Sequence, residues 1–281
     1  MNKAFQKMRF VILLLFLAFG FHGALTLCTG TQVQAATAGF KTENGITYYI
    51  KSDGSKQTGW LTLNGKKYYF LSNGALRKGW TTIGGKKYYF GNFSDPMKCY
   101  MATGWRQDSQ KNRRYFGTDG VMVTGWAEIS GIKYYFDKTT GIMRKGWIKI
   151  GNTRYYLNSS TGALVKNLLI KYNKNGYYRY VDPNGKMVRG WRNFSPTLVR
   201  YFISAKSDAS RDGKMAVGFN IISKKKYYFR GSNGSRATGW LTNATSGNRY
   251  YLDPEDNGAA VVNTTKTIDG VKYKFNASGV A

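Results

Sequence analysis

Histidine is almost missing from this sequence: His22 is the one copy in 281 residues, and cysteine (Cys28 and Cys99) and proline (four) are scarce as well. His22 and Cys28 both fall in a stretch that reads as an export leader. Lys3, Lys7 and Arg9 give it a basic start, Phe10 to Phe21 is an apolar run of secretory length, and Val33, Gln34 and Ala35 form a small-residue cleavage site, so processing is expected after Ala35. The apolar run is shorter than the ~20 residues needed to span a bilayer, and no later run approaches that length, so no membrane span is expected. Leu27 in front of Cys28 disfavours a lipoprotein signal.

The chain left after cleavage has no histidine and one thiol, Cys99. Histidine acid/base chemistry, Ser/His or Cys/His nucleophilic pairs, histidine-ligated zinc and an internal disulfide are then excluded. Acidic residues are few too, 14 against 43 basic ones. Losing Lys3, Lys7 and Arg9 with the leader leaves 40 against 14, a net charge of +26. Such a field attracts anionic polymers, although lysines on strand edges also serve to deter sheet-to-sheet aggregation.

What the chain has in quantity is Gly (34), Tyr (22) and Trp (7), and these recur in register. All seven tryptophans follow glycine: Trp60, Trp80, Trp105, Trp126, Trp147, Trp191 and Trp240. Gaps of 20, 25, 21, 21, 44 and 49 residues separate them, and in the two long gaps Leu168 and Phe219 are expected to fill missing slots. Eight to ten residues after each slot comes an aromatic block such as Tyr68-Tyr69-Phe70, Tyr88-Tyr89-Phe90 or Tyr134-Tyr135-Phe136. Asn44-Gly45, Asn64-Gly65, Gly84-Gly85, Ser130-Gly131, Gly151-Asn152 and Asp269-Gly270 lie between slot and block, the signature of tight hairpins. An apolar residue stands four before each slot: Leu76, Met101, Met122, Met143, Leu164, Met187 or Met215.

An isolated hairpin is marginal in water, so the copies must stack. The reading is all-β: residues 1–35 a signal peptide, and 36–281 an elongated β-solenoid of about eleven hairpin repeats. The lone Cys99 takes a position that is glycine in other copies and carries no reactive role. The carboxylates at Asp208 to Asp212 and Asp253 to Asp256 read as turn chemistry rather than as an acid/base pair.

The pattern Gly-Trp, then Asn-Gly-Lys-Lys-Tyr-Tyr-Phe, then a polar turn ending in Gly and followed by Met or Leu, resembles the choline-binding and glucan-binding type of cell-wall-binding repeat across essentially the whole processed chain. The resemblance implies a left-handed superhelix of hairpins, with ligand held at the junctions between them. Members bind choline on teichoic acid, α-glucans or related surface carbohydrates, and the repeats are usually appended to murein hydrolases, glucosyltransferases or toxins. One departure stands out. Choline-binding copies commonly place an aromatic just before the Tyr pair, where this chain has Lys67, Lys87, Lys133 and Arg154. A cation in the cage wall disfavours choline and favours hydroxyl-rich or anionic polymer.

The function expected from all this is a non-catalytic protein, secreted and associated with the bacterial cell wall or surface, which attaches to teichoic acid, glucan or a related glycan. Trp60, Tyr69, Trp80, Tyr89, Trp105, Trp126, Tyr135 and Trp147 are the expected ligand-binding residues. For any single indole the structural role, filling between hairpins, is the favoured one, while across the set at least one binding pocket is expected. No cofactor, metal or specific nucleic acid is expected, and a homodimer through the terminal hairpin is left open. The competing readings are a targeting module or partner of a murein hydrolase or glucosyltransferase, and nonspecific nucleic-acid binding through charge alone.

Overall fold

The computed structural model describes residues 36–171, 176–205, 208 and 210–281; the expected leader and its cleavage site lie outside them. Contacts divide the chain into two units, Met1–Gln57 and Thr58–Ala281. In the first, Gly39–Glu43 pairs with Ile46–Ile50, and Lys56 closes the hairpin by a bridge to Ile50.

Among the described residues of the second, ten antiparallel hairpins follow one another in sequence. Gly59–Leu63 pairs with Lys66–Phe70, Gly79–Ile83 with Lys86–Phe90, Gly104–Gln107 with Arg113–Phe116, Gly125–Ile129 with Ile132–Phe136, and Gly146–Ile150 with Thr153–Leu157. Leu168–Lys171 with Tyr178–Val181, Gly190–Ser195 with Leu198–Phe202, Gly218–Ile222 with Lys225–Phe229, Gly239–Thr242 with Arg249–Asp253, and Thr264–Ile268 with Val271–Phe275 complete the series. Ala259–Ala260 adds a short third strand to the Arg249–Asp253 edge. A 3-10 turn at Pro96–Lys98 takes up the extra residues of the 25-residue gap.

The hairpin turns follow from backbone conformation. Asn64 and Gly65 both have positive φ (51° and 73°), the two-residue turn whose twist matches the flanking strands. Ser223 and Lys224 do the same at 49° and 67° without a glycine or asparagine between them, so that turn carried no signal in the residues.

Each strand alternates faces. In the Trp60 hairpin the indole pairs with Tyr69 on one face, while Tyr68 and Phe70 are fully buried on the other. Those two faces explain the stacking. Trp60 packs against Tyr88 and Phe90 of the next hairpin, and the Tyr88, Phe90 and Met101 cluster takes in Tyr69 from the hairpin before.

The connecting segments tie alternate hairpins together. The amide of Met101 donates to the carbonyl of Lys67 (2.7 Å), Met122 to Lys87 (2.9 Å), Met143 to Arg113 (2.8 Å), Leu164 to Lys133 (2.8 Å) and Met187 to Arg154 (2.9 Å). At six second turns a glycine comes onto the apolar residue, as at Gly120, where a Cβ would stand 2.1 Å from Met101 Sδ. Cys99 is fully buried and its thiol donates to the Phe93 carbonyl (3.3 Å), a structural placement.

One slot differs from the expectation. Asn167 takes a left-handed conformation (φ 50°) just before the strand, so Leu168 pairs with Val181 and it is Leu169 that faces Tyr180, as Trp60 faces Tyr69. Leu168 is 52% exposed, whereas Leu169 packs on the Tyr180, Phe202 and Met215 cluster. One residue of register exchanges the two leucines between faces.

Candidate functional site

The repeat places a cross-strand Trp–Tyr pair on one face of each intact hairpin. Ring centroids lie 5.1 Å apart for Trp60–Tyr69, Trp80–Tyr89, Trp126–Tyr135 and Trp147–Tyr156, and 5.2 Å for Trp105–Tyr115. The eight residues expected from the sequence therefore do not form one pocket. They divide over five junctions, with Tyr115 and Tyr156 as the missing partners of Trp105 and Trp147.

A third ring then arrives from the following hairpin. Tyr88 stands 5.4 Å from Trp60, Tyr134 is 5.2 Å from Trp105, and Tyr155 is 5.0 Å from Trp126. Two further cages repeat the arrangement: Trp191 with Tyr201 and Tyr227, and Trp240 with Tyr251 and Tyr273. Each contributing tyrosine is the first of its aromatic block, where the residue is a tyrosine whether it packs at home or lines a neighbour's cage, so the sequence carried no sign of this second use. Edge-to-face pairs of this kind contribute about 0.5–1.5 kcal/mol each beyond burial. Trp60 (42%), Trp80 (44%) and Trp191 (39%) keep the most exposed indoles.

Two junctions replace the third ring with arginine. Arg114 sits 5.3 Å from the Trp80 ring and borders a 200 Å³ cleft with Tyr89, Asp108 and Phe116. Its guanidinium hydrogen-bonds Asp108 (2.9 Å) and the Thr140 carbonyl (2.9 Å), and that contact holds the Asp108 carboxyl below its ordinary range. At Trp147 the substitute is Arg179, 2% exposed and bonded to the Asp212 carbonyl (2.8 Å).

The cations preceding the tyrosine pairs do not share one role. Lys133 lies 5.2 Å over Trp126, but Lys87 donates to the Thr139 carbonyl (3.2 Å) and Arg154 approaches Asp212 (3.7 Å). Guanidinium groups also cover Trp105 (Arg113, 4.2 Å) and Trp240 (Arg249, 4.3 Å). Of these four positions, Lys133 is the one that places its cation over an indole, at Trp126; arginines stand over Trp80, Trp105, Trp147 and Trp240.

The acidic clusters resolve differently from one another. Asp208 accepts from the Ser210 amide (2.9 Å) and hydroxyl (2.6 Å), and Asp253 from the Glu255 amide (3.1 Å), which is turn chemistry. Asp212 is instead 1% exposed and gripped by Arg189. Among the described residues no group of three or more His, Cys, Asp or Glu converges to hold a metal, and no helix is long and apolar enough to cross a membrane.

Stacked hairpins with an indole, its cross-strand tyrosine and a ring from the next copy define a protein built of aromatic hairpin repeats, and the sequence comparison identifies the repeat. A model described as a choline-binding repeat matches residues 57–98, 123–168 and 216–264, and one for a cell wall binding repeat matches 38–56. These matches cover more than half of the chain, which belongs to the choline-binding repeat family. No curated protein sequence matches it significantly. Among solved structures it is similar to CbpJ of Streptococcus pneumoniae (29% identity, TM-score 0.53, 87% of this chain and 99% of that one). It is also similar to choline binding protein F of S. pneumoniae, solved in the presence of a tetrasaccharide-pentapeptide peptidoglycan analogue (25%, 0.51, 87% and 99%). The modular autolysin LytC of S. pneumoniae, in complex with a synthetic peptidoglycan ligand, matches at 26% identity and TM-score 0.54 over 86% of this chain and 52% of LytC, so this chain spans about half that enzyme's length.

Proposed function

We propose that this is a non-catalytic protein of the bacterial surface, exported by the leader at 1–35 and held on the wall by teichoic acid whose choline groups enter the cages between hairpins. The observation that carries the reading is the three-ring cage at Trp60, Tyr69 and Tyr88, with the indole 42% exposed. A quaternary ammonium gains about 0.5–2 kcal/mol over each suitable aromatic face, and several faces at one point give selectivity over a simple cation. Where the chain's own Arg or Lys covers the indole, as at Trp105, Trp126 and Trp240, the same charge suits the phosphates and hydroxyls of that polymer. The hairpins of Thr58–Ala281 would continue one another as a β-solenoid, setting these clefts in series. Similarity to CbpJ and to choline binding protein F over 99% of each of those chains supports attachment as the function of this one.

The test is retention of the full chain on a choline-substituted resin and release by free choline, alongside sedimentation with cell walls before and after teichoic acid extraction. Passage through the resin together with undiminished sedimentation on extracted walls would overturn the proposal. A cleared zone on a peptidoglycan gel would overturn its non-catalytic part.

A further inference from the structure

The repeat carries an apolar residue four places before five of its seven indoles; Lys56 takes that place before Trp60, and Arg236 before Trp240. The backbone treats it as it treats the others: Arg236 bridges Phe229 as Leu76 bridges Phe70, and its amide donates to the Val199 carbonyl (2.7 Å). Its side chain differs in kind. Leu and Met fill the space beneath the next glycine, whereas Arg236 Nε is buried there without a hydrogen-bond partner among the described residues, which leaves a desolvated donor uncompensated.

Beside it opens a cavity of about 710 Å³, lined by Trp191, Tyr227 and Arg236 together with Asn193, Ser195 and Asn257. A bulge shifts the register of this hairpin between Asn193 and Ser195, and both residues line the cavity. Trp191 is 39% exposed, Tyr227 stands 5.0 Å from it, and the Arg236 guanidinium lies 5.8 Å from the indole. The lining thus combines three aromatic side chains, Phe194 being the third, with Pro196 and Val199, three neutral hydrogen-bonding side chains and one cation, and no carboxylate among its described residues. Aromatic faces suit a sugar ring, amide and hydroxyl groups suit its hydroxyls, and a guanidinium pairs with a phosphate oxygen. An ammonium group gains little beside a fixed cation.

We infer that this junction, which shares Trp191 and Tyr227 with the cage described above, is chemically distinct from the other cages and takes a phosphorylated sugar unit of the same wall polymer in place of choline. The inference rests on the wall-attachment reading but uses residues apart from the Trp60 cage. The subsite adds an anchor for the anionic backbone to the cages that hold its substituents.

The full chain is titrated with glucose 6-phosphate, glucose and inorganic phosphate, following tryptophan fluorescence, and then with teichoic acid stripped of choline as a competitor. Glucose 6-phosphate should bind about tenfold more tightly than either fragment, as one charge-assisted contact and one stacked ring together allow, and the stripped polymer should displace it. Arg236→Met restores the residue type that other repeats carry and so keeps the hairpin packed. It should remove that tenfold preference for glucose 6-phosphate while leaving choline-resin retention unchanged. Equal affinity of Arg236→Met and the parent chain, no preference over glucose, or no displacement by the polymer would each overturn the subsite. Failure of the parent chain to be retained on the choline resin, with glucose 6-phosphate binding intact, would overturn the choline reading instead.

Discussion

Gly141 lies directly beneath Met122: a Cβ at that glycine would stand 2.4 Å from the methionine Sδ and 2.9 Å from its Cγ. The contact joins the turn of one repeat to the connecting segment of another, and it recurs at Gly162 on Met143 and Gly213 on Met187. Stacking is therefore enforced by close approach as much as by burial of rings.

Gly141→Ala should be destabilising through both strain and overpacking, since the residue has φ 66°. Gly146→Ala separates the two effects, because Gly146 has φ 71° with nothing within 4 Å of its added Cβ. The control should lose about 1–2 kcal/mol from left-handed strain. Gly141→Ala should lose a further 1–3 kcal/mol or so from displaced core atoms. Urea unfolding of both variants checks this, and equal losses would refute the packing contribution.

Arg189 holds Asp212 by two hydrogen bonds, Nε to Oδ1 at 2.6 Å and Nη2 to Oδ2 at 2.7 Å, and the carboxylate is pulled below its ordinary range chiefly by this contact. A depressed folded value means the contribution is complete above the ordinary carboxylate range and disappears as the pH falls through the depressed one. Asp212→Asn should cost about 3 kcal/mol near neutrality, because it leaves a partly buried guanidinium without its counter-charge. The variant should also lose stability less steeply than the parent chain on acidification. Parallel acid limbs in thermal unfolding would contradict this.

Tyr88→Ala should weaken choline binding at the Trp60 cage as much as Tyr69→Ala does, although Tyr88 belongs to a different hairpin. Removing one aromatic wall should lower affinity by about 1 kcal/mol, roughly fivefold. Fluorescence titration with choline measures it. An effect confined to Tyr69→Ala would show that the ligand does not bridge hairpins.

Arg114→Tyr should supply the third ring that the Trp80 junction lacks, and the number of choline molecules bound by the full chain should rise by one. Isothermal titration reads the stoichiometry directly. An unchanged count in a folded variant would disprove the view that Arg114 is what closes this cage.

The hairpins were legible because Gly-Trp, the two-residue turn and the aromatic block are local features, each fixing φ, strand alternation or cross-strand pairing within about twenty residues. Pairings such as Trp60–Tyr69, Trp80–Tyr89 and Trp126–Tyr135 follow from that alternation. Leu169 in place of Leu168 did not, since a left-handed Asn167 moves the register by one residue without any glycine to announce it.

Local pattern was thus sufficient for an all-β repeat protein with a Trp–Tyr pair on each intact copy. Tertiary packing decided the rest: Tyr88 as the third wall for Trp60, Arg114 and Arg179 as plugs, Asp212 as a buried counter-charge, and Arg236 beside a cavity. A cage exists only where the face of one hairpin meets the opposite face of the next. The third wall, whether the Tyr88 ring at Trp60 or the Arg114 plug at Trp80, comes from more than twenty positions beyond the indole, a distance over which sequence spacing carries no geometric information.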